Sequence, residues 1–294
     1  MTRPQTIRLK SFELATQDIA SVEVQKLHAL SIGVGWPHRA SDWDMLRALG
    51  QGYAALDEID RVFSTGMWFP HGDGLASIGM VITSLRVQTH GGGRWMMDRI
   101  LDECGARRLV LNSTRAAVQL YLGLGFVPQA VVYQCQGTVA AERPALPRGE
   151  VERMDPADLS DAMALDAEAF GAPRPRLLAL LAEASDIDMR GIRRGGRLRG
   201  FAMRRAFGRD QVIGPVIAES EADAVTLVAA LLEGMEGRFV RLDTRQPEGE
   251  LRAFLEASGI PLYDTVRTMA RGCGLPAVTP GRPGVYGLAS QAAG

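Results

Sequence analysis

Residues 78–94 read IGMVITSLRVQTHGGGR, and the fold is decided there. Ile78, Met80 and Ile82 alternate with their neighbours as in a strand buried mainly on one face, and Trp95, Met96, Met97 and Ile100 then fall at helical spacing. Between the two lie Gly91, Gly92 and Gly93. Adjacent glycines let the backbone approach a ligand closely and turn several N–H groups one way. The positive end of the following helix adds to their pull, so a strand, glycine loop and helix in this order form a phosphate cradle.

Two other glycine loops are excluded by their spacing. A Walker loop needs Lys-Ser/Thr after its last glycine, where this chain has Arg94-Trp95. A dinucleotide fingerprint counted from Gly91 and Gly93 needs a further glycine where Met96 stands. The pattern that fits is Gln-x-x-Gly-x-Gly, with Gln88, Gly91 and Gly93. Downstream, Arg108 to Asn112 is a short apolar strand. A helix capped by Ser113 or Thr114 follows, with Ala117, Leu120, Tyr121 and Leu124 as its apolar stripe before Gly125. The loop and the segment Ala117 to Phe126, in this order, resemble the two signatures of the GCN5-related N-acetyltransferases (GNAT family). One departure is Thr114, where the family often has Asn.

The resemblance implies an α/β (α+β) fold, a mixed, mostly antiparallel sheet around a central parallel strand pair. It implies acetyl-coenzyme A as co-substrate and transfer of acetyl to a primary amine of a small molecule or peptide. The coenzyme is expected on Ile82, Thr83 and Ser84 at the strand end, on Gln88, Thr89, His90, Gly91, Gly92, Gly93 and Arg94 in the loop, and on Asn112. Tyr121 is the expected acid at the coenzyme sulfur. The family's first two helices and their connection wall the acceptor pocket, which makes Trp36, His38 and Arg39 the candidate substrate contacts. His38 is the candidate base, with Asp42 and Asp44 after it.

Beyond a charged, proline-rich connector at 141–150, the chain repeats itself. Ile213 to Ala218 echoes Ile78 to Thr83, and Arg238 to Asp243 echoes Arg107 to Asn112, each followed by a helix. Two tandem copies are therefore expected, residues 1–140 and 151–273, with a flexible tail over 274–294 rich in Pro, Gly and Ala. The second copy lacks the chemistry. Glu219 to Asp223 replaces the glycine loop with three acids, and Leu255 stands opposite Tyr121, so one coenzyme per chain is expected.

Composition narrows the class. A net charge of −1 is not the basic footprint of a nucleic-acid binder, and the pairs Arg193-Arg194 and Arg204-Arg205 read as solvated strand ends. No apolar run can span a membrane and MTRPQTIRLK has no signal core, so a cytoplasmic protein is expected. Cys104, Cys135 and Cys273 lack metal spacing and read as reduced packing residues, and the four histidines likewise suggest no metal. A homodimer is compatible with the resemblance. The alternative function is a non-catalytic coenzyme-binding or regulatory protein on the same fold.

Overall fold

The computed structural model describes residues 5–9, 12–88, 90–144, 151–272, 274–276, 279 and 281–294. The first half runs β1 (Thr6–Leu9), β2 (Phe12–Asp18), α1 (Val24–Gly33), α2 (Ala40–Leu49), β3 (Gln51–Leu56), β4 (Val62–His71), β5 (Leu75–Thr83), α3 (Gly92–Cys104), β6 (Arg108–Ser113), α4 (Val118–Leu122) and β7 (Val127–Thr138). The second runs β8 (Val151–Arg153), α5 (Leu159–Phe170), α6 (Pro175–Ala182), β9 (Asp188–Arg194), β10 (Arg197–Phe207), β11 (Asp210–Ala218), α7 (Glu221–Leu231), β12 (Phe239–Thr244), α8 (Glu250–Ala257), β13 (Leu262–Arg271) and β14 (Gly284–Gly287). The repeat is thus visible in three dimensions. Each half has one parallel pair, β5 with β6 and β11 with β12, in otherwise antiparallel surroundings.

The halves are not two separate sheets. All described strands join one 14-stranded sheet in which β13 lies between β6 and β7, and β7 lies between β13 and β12. The halves have therefore exchanged their last strands. β13 of the second half pairs with β6 of the first (Thr268↔Asn112), β7 of the first pairs with β12 of the second (Leu242↔Cys135), and the two meet at Val266↔Val132. Each exchanged strand satisfies its backbone donors and acceptors on both edges, so separating the halves would strip main-chain partners from both.

The core crosses the same boundary. Trp43 of α2 is fully buried in a cluster that includes Leu27 of α1, Leu177 of α6 and Phe201 and Met203 of β10. Its indole Nε1 donates to Ser31 Oγ at 3.2 Å, which satisfies the ring's polar atom inside that core. Helices α1 and α2 thus hold a connection, residues 34–39, against the second half.

Two expectations need correction. Ala20, Val24, Leu27 and Leu30 fall at helical spacing and predict a helix from Thr16 to roughly Val34, but the helix begins only at Val24; residues 12–18 form β2, paired with β3 from Ala15↔Leu56 to Asp18↔Tyr53. Pairing with an available sheet edge overrides the helical spacing there. The tail expected to be flexible is packed over 284–294: β14 joins the sheet, Leu288, Ala289 and Ala293 are buried, and Leu288 N–H donates to the Asp243 carbonyl at 2.8 Å. Its small residues let it lie in a narrow cleft, so Pro/Gly/Ala composition marks close packing here.

Candidate active site

The central strand β5 carries two features that open a site. It pairs with β6 only from Leu75↔Arg108 to Ile78↔Leu111, then runs on to Thr83 as β6 diverges, which leaves the edge from Gly79 to Thr83 unpaired with β6. Its register with β4 slips between Thr65↔Ile82 and Met67↔Gly79, a bulge centred on Met80 and Val81. Met80 has φ of 51°, the left-handed region that costs a side-chain-bearing residue about 1–2 kcal/mol. Thr65 Oγ1 donates to the Met80 carbonyl at 2.7 Å and helps hold the bulge. Strain held in this way turns main-chain groups out of the ladder and towards a ligand.

The strand ends at the glycine loop. Thr83 sits beneath the glycines, with its Oγ1 3.6 Å from where a Gly93 Cβ would lie. Gln88 Nε2 donates to the Thr83 carbonyl at 3.0 Å and His90 Nδ1 to the Gln88 carbonyl at 2.6 Å, so both side chains fold the loop back on the strand end. Gly91 caps α3 at φ 86°, which only glycine adopts without cost. The first-turn N–H groups of Gly92, Gly93 and Arg94 have no partner within α3, and they present the helix's positive end. Arg94 Nη1 donates to the Gly123 carbonyl at 3.3 Å and ties the loop to the end of α4. The Ile82 side chain is in the core, so only its backbone can face a ligand, and Ser84 N–H donates to the Phe63 carbonyl at 2.7 Å. Thr89 lies outside the described residues.

Beyond the bulge is a cavity of about 550 Å³ that both halves line. The first half supplies Met80, Val81, Asn112 and Tyr121 from the sheet side, and Trp36 and His38 from the α1–α2 connection. Tyr121 stands edge-on to Phe126 at 5.9 Å, and burial pushes its pKa well above the usual phenol value. The hydroxyl therefore stays protonated at neutral pH, as a proton donor must. Asn112 lines the cavity, but its amide is committed: Nδ2 donates to the Gln291 carbonyl at 2.8 Å, and Oδ1 accepts from Thr268 Oγ1 at 2.7 Å.

His38 is held between aromatic rings, 5.8 Å from Trp36 and edge-on to Phe207 at 5.4 Å. Burial lowers its pKa to about 4; Asp42 opposes that shift, while Arg241, Arg205 and His28 add to it. The imidazole is thus neutral at pH 7, and its Nδ1 is buried without a hydrogen-bond partner. The other polar candidates of this wall serve the structure. Asp42 Oδ2 accepts from Arg39 N–H at 2.8 Å and from Gly208 N–H at 2.9 Å, which caps α2 and pins the β10–β11 turn to it. Arg39 Nη2 closes on Asp42 Oδ1 at 3.3 Å and Arg39 is not a wall of the cavity; Asp44 is exposed and pairs with Arg47.

The second half supplies cavity residues that the sequence reading missed, among them Arg205, Phe207 and Arg241. Arg205 does not belong to a solvated strand end: it is 2% exposed and in phase with Phe201, Met203 and Phe207 along β10. An arginine on the apolar phase of a strand was the available signal. Arg193, by contrast, pairs with Glu152, Asp158 and Asp161 near the surface, while Arg204, paired with Asp188, is largely covered and is not a solvated strand end either.

In the second half the corresponding cleft is occupied. β11 and β12 pair only as far as Ile213↔Leu242, and the gap beyond is filled by β14, antiparallel to β11 from Ala218↔Gly284 to Val216↔Gly287. The acids that replace the glycine loop are used locally. Ser220 caps α7, Asp223 binds Arg194 at 2.9 Å, Glu219 binds Arg199 at 2.9 Å, and Glu221 Oε1 accepts from Leu251 N–H at 3.0 Å. Burial raises the thiols of Cys104 and Cys135 to a pKa of about 11, so neither is a nucleophile at neutral pH, and Cys273 lies outside the described residues. Among the described residues no group of three or more His, Cys, Asp or Glu is placed to hold a metal ion, and no helix is long and apolar enough to cross a membrane.

Comparison with known proteins recognises the second half by sequence and the whole chain by fold. Residues 162–279 match the family model of the acetyltransferase (GNAT) domain, so the recognised sequence lies in the half that lacks the glycine loop. The chain is 30% identical over 166 residues to the uncharacterized N-acetyltransferase YitH of Bacillus subtilis (strain 168), a match that covers 55% of this chain and 58% of that protein. A Pyrococcus horikoshii protein assigned to the acetyltransferases shares the fold over 100% of this chain and 99% of its own, with a TM-score of 0.76 at 14% identity. A tandem GNAT protein from the clavulanic acid biosynthesis pathway superposes with a TM-score of 0.60 at 14% identity, over 87% of this chain and 98% of its own. Residues 162–279 thus match the GNAT domain by sequence, and the fold shared along the whole chain is that of two GNAT units in tandem.

Proposed function

We propose that the chain is an acetyl-coenzyme A-dependent N-acetyltransferase acting on a primary amine of a small molecule or peptide, with its chemistry in the first half. One observation carries this reading. The β5 edge freed beyond Ile78 runs from the glycine loop into the same cavity that Tyr121 and His38 line. The residues present fit the coenzyme: Gly91 to Arg94 offer N–H groups and a helix N-terminus to a pyrophosphate, and the open edge of β5 offers main-chain partners to an extended pantetheine. Bound there, acetyl-coenzyme A supplies an activated acetyl thioester.

The chain's own residues then move two protons. An amine becoming an amide must lose a proton, and neutral His38 has a ring nitrogen to accept it. With a pKa of about 4 it cannot deprotonate an ammonium of pKa near 10, a transfer uphill by roughly 8 kcal/mol, so the amine must arrive neutral and His38 takes the proton released on attack. As the new carbon–nitrogen bond forms and the carbon–sulfur bond breaks, Tyr121 Oη, kept protonated by burial, would give its proton to the departing thiolate. Main-chain N–H groups at the Met80–Val81 bulge are suited to polarise a carbonyl. A crystal structure with coenzyme A tests the assignment: the pyrophosphate is expected on residues 91–94 and the pantetheine along β5, and coenzyme bound anywhere else would overturn it.

A further inference from the structure

The second-half wall of the cavity contains a positive charge without a paired carboxylate among the described residues. Arg205 is buried, and among the described residues its guanidinium donates only to two main-chain carbonyls, Ala206 at 3.3 Å and Ala289 at 3.2 Å, while Nε has no partner there. Among the described residues no carboxylate forms an ion pair with it. The acids that influence it are engaged elsewhere: Asp42 holds Arg39 and Gly208, and Asp186 accepts from Gln211 Nε2 at 2.9 Å. Arg241, in the same wall, is already matched by Asp243 through contacts of 2.7 to 3.1 Å. His38, against the same Phe207 ring, has its own orphaned nitrogen. A buried guanidinium without a counter-ion is costly, and burial pulls this one down to about 10. An anion arriving with the substrate would relieve that cost.

We propose that the acceptor is an amine that also carries an anionic oxygen group, carboxylate or phosphate, and that this group docks on Arg205 beside His38. The inference rests on the acetyl-transfer reading above. It gives the second half a function although its own cleft is filled by β14: it supplies the residue that recognises the acceptor's charge. It also explains why β10 places an arginine among Phe201, Met203 and Phe207, where an apolar residue would pack without penalty. With the anion held at this wall, an amine a few bonds away is directed back towards β5 and Tyr121.

The test uses three acceptors of similar length at saturating acetyl-coenzyme A: n-butylamine, 4-aminobutyrate and 3-aminopropylphosphonate. For the wild-type chain, kcat/KM for at least one anionic amine should exceed that for butylamine by about 100-fold, because a site built around a buried charge rejects a ligand that leaves it unpaired. Which of the two anionic amines is preferred identifies carboxylate or phosphate. In Arg205→Met the preference should fall below about 10-fold while acetyl-coenzyme A affinity stays unchanged, and Arg205→Lys should recover part of it. Butylamine used as well as, or better than, both anionic amines would overturn the proposal even if the Arg205 variants fail to fold. If none of the three is acetylated, calorimetry on the wild-type chain decides, with and without coenzyme: tighter binding of an anionic amine supports the site, and equal or absent binding refutes it. Failure of acetyl-coenzyme A itself to bind would count against the acetyl-transfer reading, separately from the amine comparison.

Discussion

Gly93→Asp separates ligand binding from folding because the two should move in opposite directions. A Cβ at Gly93 would lie 3.4 Å from Leu120 Cδ2 and 3.6 Å from Thr83 Oγ1, ordinary contacts with side chains and none with backbone. Position 93 is in the first turn of α3, where a carboxylate meets the helix's positive end and gains about 0.3–1 kcal/mol, and any non-proline residue propagates a helix better than glycine. The folded protein should be as stable as wild type or slightly more so. A phosphate held by the loop would meet the same carboxylate at contact range, taken as about 4 Å. At effective dielectrics of about 20 to 80 that repulsion is about 1–4 kcal/mol, or roughly 5- to 1,000-fold in Kd. Calorimetry with acetyl-coenzyme A and a thermal melt read the two effects side by side. Unchanged affinity in a folded variant would refute the loop as the phosphate site.

Three further outcomes follow from the same geometry. Calorimetric titration should give one coenzyme per chain, because β14 lies on β11 in the second half and its loop is acidic; two per chain would show that cleft to be open. Tyr121→Phe should lower kcat by about 10- to 1,000-fold with coenzyme affinity nearly unchanged, since the ring still packs on Phe126 while the hydroxyl proton is lost; wild-type kcat at saturating substrates would remove Tyr121 from the chemistry. His71 is buried against Ser77 Oγ at 2.8 Å and beside Phe170, and burial, with Arg174, lowers its pKa to about 3. Below about pH 6.5 the unfolded chain binds a proton that the folded chain refuses, so stability should fall with pH by about 1.4 kcal/mol per unit down to the folded pKa. His71→Gln should flatten that slope by one proton in denaturant titrations at pH 4 to 6.5, and an unchanged slope would show the histidine to be charged in the fold.

What the sequence revealed and what it hid differ in range. The glycine loop, β5 and the helix with Tyr121 are local patterns, each contained within about 20 residues, and the repeat of Ile78 to Thr83 in Ile213 to Ala218 exposed the tandem arrangement. Strand exchange was invisible because the alternation in Val127–Thr138 and Leu262–Arg271 shows which face is buried and not which neighbour lies alongside. The tail was misread because Gly284–Gly287 is too short and too rich in glycine to register as a strand, although Val285 and Tyr286 gave it apolar content. Arg205 was passed over as one of a charged pair; its phase with Phe201, Met203 and Phe207 was legible but unused. Trp36 and His38 line the cavity from the connection in which they were read, while Arg39 beside them caps α2.

The central claim is acetyl transfer at the first half, and its most direct measurement is coenzyme A release from acetyl-coenzyme A with a panel of primary amines, scored together with mass detection of the acetylated amine. Thiol release matched by acetylated product for at least one amine, and lost in Gly93→Asp, is the result expected. If acetyl-coenzyme A binds, yet no amine in a panel spanning neutral, anionic and peptide acceptors is acetylated above the uncatalysed rate, the claim is contradicted and the chain is a coenzyme-binding protein on a GNAT fold.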